Sequence, residues 1–368
     1  MSLFDQQVQS QIADINPYIP GKPIAELQRE LKLTRISKLA SNENPLGASE
    51  RAKKSIQDLL VDIARYPDGS AFELKQSLAN HLNLKQTQIS VGNGSNELLE
   101  LVARIFAAKD DEIIFSQYAF AVYAISAQVV GATGISVKAK GWAHDLTAML
   151  AAITSKTKII YIANPNNPTG TLITKKEWED FICQVPKQVV VVLDEAYFEY
   201  VPQGKSFNGL DYINDYTNLL VSRTFSKAYG LASLRIGYMM GAEEIIGYIE
   251  KVRTPFNVNQ FAQVAAIASL EDISFVGEAV ALNSLGMAQL ITFFDDNLLH
   301  YIPSFGNFIC VNVGENSAEV NQKLLSYGVI VRPVANYGMK NYIRVSIGTK
   351  TEINHFLEAM RRVLEFQK

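Results

Sequence analysis

Three stretches decide the architecture: KIIYIANPNNPTG (158–170), QVVVVLDEAYFEY (188–200) and NLLVSRTFSKAYG (218–230). Each opens on a short run of Val, Ile and Leu without polar alternation, then turns abruptly polar. Such runs suit strands buried on both faces of a sheet. Working outward, QISV (88–91) and EIIF (112–115) read as two more strands. The first is followed by Gly92-Asn93-Gly94-Ser95 and the helical pattern SNELLELVARIF. Helical patterns separate most of these strands, which predicts an α/β layer architecture with a mostly parallel sheet.

The C-terminal part reads differently. NFICVNV (307–313), VIVRPV (329–334) and YIRVSIG (342–348) are predicted strands, flanked by helical patterns at about 261–298 and 351–367. They predict a smaller α+β domain. KVRTPFNVN (251–259), with Pro255 inside it, is the expected junction. The first forty residues carry turn signals at NPYIPGKP and a short helix, IAELQREL. The expected division is a large domain over 45–255 and a discontinuous small domain over 1–44 and 256–368.

The chain has 368 residues, 48% hydrophobic and 19% charged, a composition that excludes a disordered chain. A net charge of −3 gives no basic footprint for nucleic acid or anionic lipid. Two cysteines, Cys183 and Cys310, are too few for a disulfide scaffold and fit a reducing cytoplasm. None of the four histidines stands near another His or a Cys, so no zinc-ligand spacing exists and no metal is expected. The N-terminus lacks the pattern of a signal peptide. Residues 113–137 carry no charge, but Gln117, Gln128, Gly131 and Gly134 interrupt them, and a buried strand, helix and turn is expected rather than a membrane span.

In an open α/β sheet, ligands bind beyond the C-terminal ends of the strands. Five consecutive strand ends carry polar or aromatic groups: the Gly92–Ser95 turn, Tyr118, Asn164–Gly170, Asp194–Tyr197 and Thr224–Lys227. The glycine turn lets an anion approach free helix N–H groups, although the third glycine of a dinucleotide fingerprint is missing. Asp194 follows an apolar strand, and a buried acid there needs a strong partner such as a protonated ring nitrogen, unless it merely caps a helix. Lys227, among hydroxyls and with Arg235 eight residues on, is a Schiff-base nucleophile in the functional reading and a solvated lysine in the bland one.

Together NPNNPTG, LDEAYFEY and SRTFSKAYGLASLRIGY resemble, in order and spacing, the fold type I pyridoxal-phosphate-dependent aminotransferases. LASNENPLG (39–47), RYPDG (65–69), NPYIPG and the arginines of VIVRPV and YIRVSIG are similar to the histidinol-phosphate aminotransferase family. The resemblance implies roles. Lys227 would bond pyridoxal phosphate covalently and move the substrate proton. Asp194 would keep the ring nitrogen protonated. Asn167 and Tyr197 would hydrogen-bond the ring oxygen, and Tyr118 would stack on the ring. Gly94, Ser95, Asn96, Thr224, Ser226 and Arg235 would hold the phosphate, with Tyr66 reaching the phosphate of the neighbouring subunit in a homodimer. Arg332 and Arg344 would bind the anionic end of the substrate, and Tyr18 and Asn44 would line its cavity. The segment FSQYAFAVY (115–123) departs from the family's usual Pro-Thr-Tyr.

The reaction so implied takes L-histidinol phosphate and 2-oxoglutarate to imidazole acetol phosphate and L-glutamate. An aromatic amino-acid aminotransferase and an amino-acid phosphate decarboxylase or lyase are the alternatives on the same scaffold. A non-catalytic regulator would need a DNA-binding module that the chain has no basic segment to supply. A nicotinamide oxidoreductase lacks its fingerprint.

Overall fold

The computed structural model describes residue 4 and residues 7–17, 21–315 and 317–365. In chain order its strands are β1 (Ser37–Leu39), β2 (Ile89–Gly92), β3 (Glu112–Ser116), β4 (Thr133–Val137), β5 (Thr157–Ala163), β6 (Val190–Asp194), β7 (Leu219–Thr224), β8 (Gly237–Gly241), β9 (Tyr301–Ile302), β10 (Phe308–Asn312), β11 (Val329–Pro333) and β12 (Tyr342–Ser346). They form two sheets, ordered β2-β8-β7-β6-β5-β3-β4 and β1-β11-β12-β10-β9.

The large sheet is parallel from β7 through β6, β5 and β3 to β4. Only β8 runs against its neighbours, β2 and β7. Its reversal matters for function. The start of β8 lies where β2 and β7 end, with Gly237 in register with both Gly92 and Thr224. Apart from the edge strand β4, the strands lack polar alternation because both faces are covered. In β6, Val191 and Leu193 enter one hydrophobic core while Val190 and Val192 enter the other. Each such side chain contributes roughly 1.5–3 kcal/mol by leaving water.

The stretch 113–137 is β3, the helix Ala121–Val129 and β4. Helix Ser95–Phe106 and helix Ile24–Leu31 coincide with the patterns read from the sequence. The pattern at 261–298 is two helices, Gln260–Leu270 and Ile273–Asp296, interrupted at Glu271 and Asp272. The first packs against helices Glu50–Leu59 and Phe72–Leu82, and its Ala262, Ala265 and Ala266 share a core with β6 and β7 of the large sheet. Residues C-terminal to the expected junction therefore contribute to the large sheet's packing. The second helix is long and apolar enough to cross a bilayer by composition. Here its Leu290, Phe293 and Phe294 pack into the core of the second sheet.

That second sheet joins the two ends of the chain, since β1 pairs in parallel with β11. Helices Ile273–Asp296 and Lys350–Glu365 pack with its apolar face through Ile309, Val311, Ile343 and Val345. Alternation sends the intervening residues to the opposite face. Arg332 and Arg344 occupy directly opposed positions on antiparallel β11 and β12.

Candidate active site

A cavity of about 270 Å³ lies at the C-terminal edge of the large sheet. Ser95, Asn96, Asn167, Asp194, Tyr197, Thr224, Ser226, Lys227, Arg235 and Arg344, singled out from the sequence, all line it.

One end is built for an anion. Helix Ser95–Phe106 begins after Gly94 with no side-chain cap, which leaves its first N–H groups free. Gly94 has φ +82°, and a Cβ there would stand 2.4 Å from the Arg235 guanidinium. Gly237 is equally constrained, for a Cβ would meet the Ser95 nitrogen at 2.4 Å. The loop and the arginine close on each other only because both glycines lack side chains. Arg235 donates to the Ala232 carbonyl at 2.9 Å and approaches Ser226 Oγ at 3.5 Å. The Ser226 N–H donates to Thr224 Oγ1 at 3.1 Å.

At the other end stands Asp194, 5% exposed. Its Oδ2 accepts the hydroxyl proton of Tyr123 at 2.7 Å, while Oδ1 is buried without a partner. Burial raises its pKa to about 6, against the lowering effect of Tyr123 and the Ala196 N–H. Half of this carboxylate lacks a hydrogen-bond partner, which is the environment a cationic N–H donor would fill. Tyr123 is itself fixed by stacking on Tyr161, with ring centroids 4.7 Å apart.

Lys227 reaches into the same cavity and donates to the Ser41 carbonyl at 3.3 Å. Burial and, next, the Arg344 charge lower its pKa to about 8. A lysine so placed is partly neutral, and therefore nucleophilic, near physiological pH. Arg344 donates to Asn167 Oδ1 at 2.5 Å and to the Ala40 carbonyl at 2.8 Å. Its Nε is buried without a partner. Arg332, 7% exposed, lines an adjoining cavity of about 870 Å³ that shares Gly21 and Phe120 with the first. The two arginines, opposed on β11 and β12, thus line one cavity each.

Three expectations change. Tyr118 does not line the cavity; it packs on Trp142, ring centroids 5.2 Å apart, beside Cys310 and Met339. Phe120, two residues on, lines it instead. The missing proline of FSQYAFAVY had marked the place where the register differs. Asn44 also turns away, donating to the Ala228 carbonyl at 2.8 Å and accepting from the Leu46 N–H at 2.9 Å. Asn42 lines the cavity in its stead and donates to the Tyr197 hydroxyl at 2.9 Å. Arg332 belongs to the neighbouring cavity. Tyr66 lies outside both cavities of its own chain, 81% exposed, and stacks on Phe256 at 4.8 Å. Tyr18 lies outside the described residues. Sequence reading missed Asn42, Phe120 and Tyr123, although all three stand in the quoted motifs LASNENPLG and FSQYAFAVY. Behind the site, the buried Glu195–Arg223 pair, 2.7 Å apart, ties the end of β6 to β7. No cluster of metal-ligating side chains occurs among the described residues.

The cavity and its sheet define a class, and sequence comparison agrees: the chain belongs to the aminotransferase class I and II family, whose profile matches residues 34–360. Within it, the chain is 61% identical to histidinol-phosphate aminotransferase 2 of Hydrogenovibrio crunogenus, over 99% of this chain and 98% of that one. Histidinol-phosphate aminotransferase 2 of Pseudomonas aeruginosa is 50% identical over 99% of each chain. The crystal structure of histidinol-phosphate aminotransferase from Sinorhizobium meliloti, in complex with pyridoxal-5'-phosphate, superposes with a TM-score of 0.91 at 26% identity, covering 98% of both chains.

Proposed function

We propose that the chain transfers the amino group of L-histidinol phosphate to 2-oxoglutarate, giving imidazole acetol phosphate and L-glutamate, with pyridoxal phosphate as cofactor. The observation that carries this is a nucleophilic amine and a half-satisfied buried carboxylate in one cavity, Lys227 and Asp194. Relatives of that name at 50–61% identity support the substrate.

The residues present fit the cofactor. The uncapped helix start at Ser95 and Asn96, with Thr224, Ser226 and Arg235, would hold its phosphate. Asp194 Oδ1 would meet its ring nitrogen, and Asn167 and Tyr197 its ring oxygen. When bound, pyridoxal phosphate supplies an electron sink for the pair left as the substrate Cα–H bond breaks. Lys227 would take that proton on Nζ, whose pKa of about 8 lets it accept and give up a proton near neutral pH. Asp194 stays ionised and holds the ring nitrogen's proton. Arg344, with Arg332 opposite, would receive the phosphate of one substrate and a carboxylate of the other, both of which fit a planar guanidinium.

The reading extends to a cytoplasmic homodimer in which Tyr66 serves the cofactor phosphate of the neighbouring subunit. Its exposure beside Val61, Ile63 and Phe256, all exposed apolar side chains, supports an interface there. It also retains a large domain over 45–255 and a small one over 1–44 and 256–368, although helix Gln260–Leu270 of the latter packs into the large sheet's core. The test is spectroscopic. Added pyridoxal phosphate should give a visible band that L-histidinol phosphate bleaches and 2-oxoglutarate restores. A band that neither compound changes would overturn the reaction.

A further inference from the structure

Asn42 has φ +55°, in the left-handed region that non-glycine residues occupy at a cost. Four hydrogen bonds hold it there. Its carbonyl accepts from Asn307 Nδ2 at 3.0 Å. Its N–H donates to Ser346 Oγ at 2.9 Å, and Ser346 Oγ donates back to Asn42 Oδ1 at 2.7 Å. Its Nδ2 donates to the Tyr197 hydroxyl at 2.9 Å.

The bonds run in one consistent direction. A backbone N–H only donates, so Ser346 Oγ accepts from it, and the Ser346 proton goes to Asn42 Oδ1. With Oδ1 held by Ser346, the end of the amide that faces Tyr197 is the NH₂ group. The phenolic oxygen of Tyr197 must then accept, and its own proton points elsewhere. Tyr197 lines the cavity and is 3% exposed. Ser346 ends β12 and Asn307 precedes β10, both in the second sheet, whereas Tyr197 comes after β6 of the first. Asn42 thus lets one sheet set the polarity of a donor carried by the other.

We propose that Asn42 is a positioning residue: pinned by Ser346 and Asn307, it donates to Tyr197 and so reserves the phenolic proton for the ring oxygen of the cofactor. This rests on the reading of the cavity as the pyridoxal phosphate site. Burial keeps Tyr197 protonated at working pH by raising its pKa to about 12, so a proton is there to be directed.

A donor on the ring oxygen competes with the adjacent protonated nitrogen for that oxygen, and so lowers that nitrogen's pKa. Losing the donor raises the pH midpoint of the bound cofactor's visible band. The experiment titrates that band, and measures pyridoxal phosphate affinity of the cofactor-free protein, for Asn42→Gly with Tyr197 intact and with Tyr197→Phe. Glycine adopts φ +55° freely and carries no charge. The expected result with Tyr197 intact is a raised midpoint and an affinity weakened by about 2–10-fold, the range of one ordinary hydrogen bond. With Tyr197→Phe, the same substitution should change neither. Asn42→Asp keeps the shape and tolerates the backbone, but accepts the Tyr197 proton. It carries the same comparison should the glycine variant not fold, since its charge acts in both backgrounds and cancels. An Asn42→Gly midpoint equal to wild type, or an equal shift in both backgrounds, overturns the proposal. If the unsubstituted protein shows no pH-dependent visible band with pyridoxal phosphate, the reading of the cavity itself falls, and the proposal with it.

Discussion

The Tyr123 hydroxyl donates to Asp194 Oδ2 at 2.7 Å, and Asp194 Oδ1 has no partner. One buried phenol therefore supports the ionised form of the carboxylate against a burial penalty that raises its pKa to about 6. Tyr123→Phe removes that support. A hydrogen bond to a charged group contributes about 1.5–3 kcal/mol, which corresponds to roughly one to two pH units. Cofactor affinity of the empty protein should rise with pH as Asp194 ionises, and this rise should sit that much higher in the variant. Coincident profiles would show that Tyr123 only fills space.

The empty site should cost stability. The folded pKa of Asp194 lies above its unfolded value, so the cost is absent below about pH 3.8, grows as pH rises, and is complete above about pH 6. A shift of that size corresponds to about 3 kcal/mol. Asp194→Asn should therefore stabilise the cofactor-free protein at pH 8 by up to this amount and leave it nearly unchanged at about pH 4. Denaturant unfolding at the two pH values checks this. Equal effects at both would mean that Asp194 is not ionised against its surroundings. The same variant should gain less stability from added cofactor.

Lys227 has its pKa lowered to about 8 by burial and the Arg344 charge. Its neutral, reactive form grows as pH rises through that value. Condensation of the empty protein with pyridoxal phosphate should accelerate with a midpoint near pH 8. Arg344→Met should move the midpoint upward, because a neighbouring cation that favours the neutral amine is lost. Lys227→Ala should bind the cofactor without a covalent link and lose turnover by more than roughly 10²–10⁴-fold. Turnover within tenfold of wild type would remove Lys227 from the chemistry.

Tyr66 is expected to act in trans. Mixing Lys227→Ala with Tyr66→Ala under subunit exchange gives mixed dimers in which one site carries both changes and the other neither. Random pairing makes roughly a quarter of all sites intact, under two-fold symmetry. Activity should rise towards that fraction. Confirmed exchange without a rise in activity would mean that Tyr66 acts within its own chain or not at all.

Much of the fold was legible because burial on both faces leaves a continuous apolar run, as in VVVVL before Asp194. Strands without such a run escaped. β8 is GYMMG, bounded by glycines and free of β-branched residues, while β1 and β9 are three and two residues long. The break at Glu271–Asp272 was hidden because helical periodicity resumes on its far side. At the site, residues fixed by strand ends fell where expected, since a strand's register in its sheet places the first residues beyond its end. Loop residues did not. Asn42 and Asn44 lie in one NEN motif, and Tyr118 and Phe120 in one QYAF motif. Which of each pair enters the cavity depends on contacts with Ser346, Ala228 and Trp142, distant in sequence.

The central claim is the identity of the amino donor. The direct measurement compares kcat/KM for L-histidinol phosphate, L-phenylalanine, L-tyrosine and L-aspartate with 2-oxoglutarate as acceptor. With Arg344 and Arg332 opposed on neighbouring strands, a phosphate ester should gain at least one more charged hydrogen bond than an amino acid. L-Histidinol phosphate is therefore expected to lead by more than about tenfold, the factor that ~1.5 kcal/mol supplies. An aromatic amino acid or aspartate that matches or exceeds it would contradict the account.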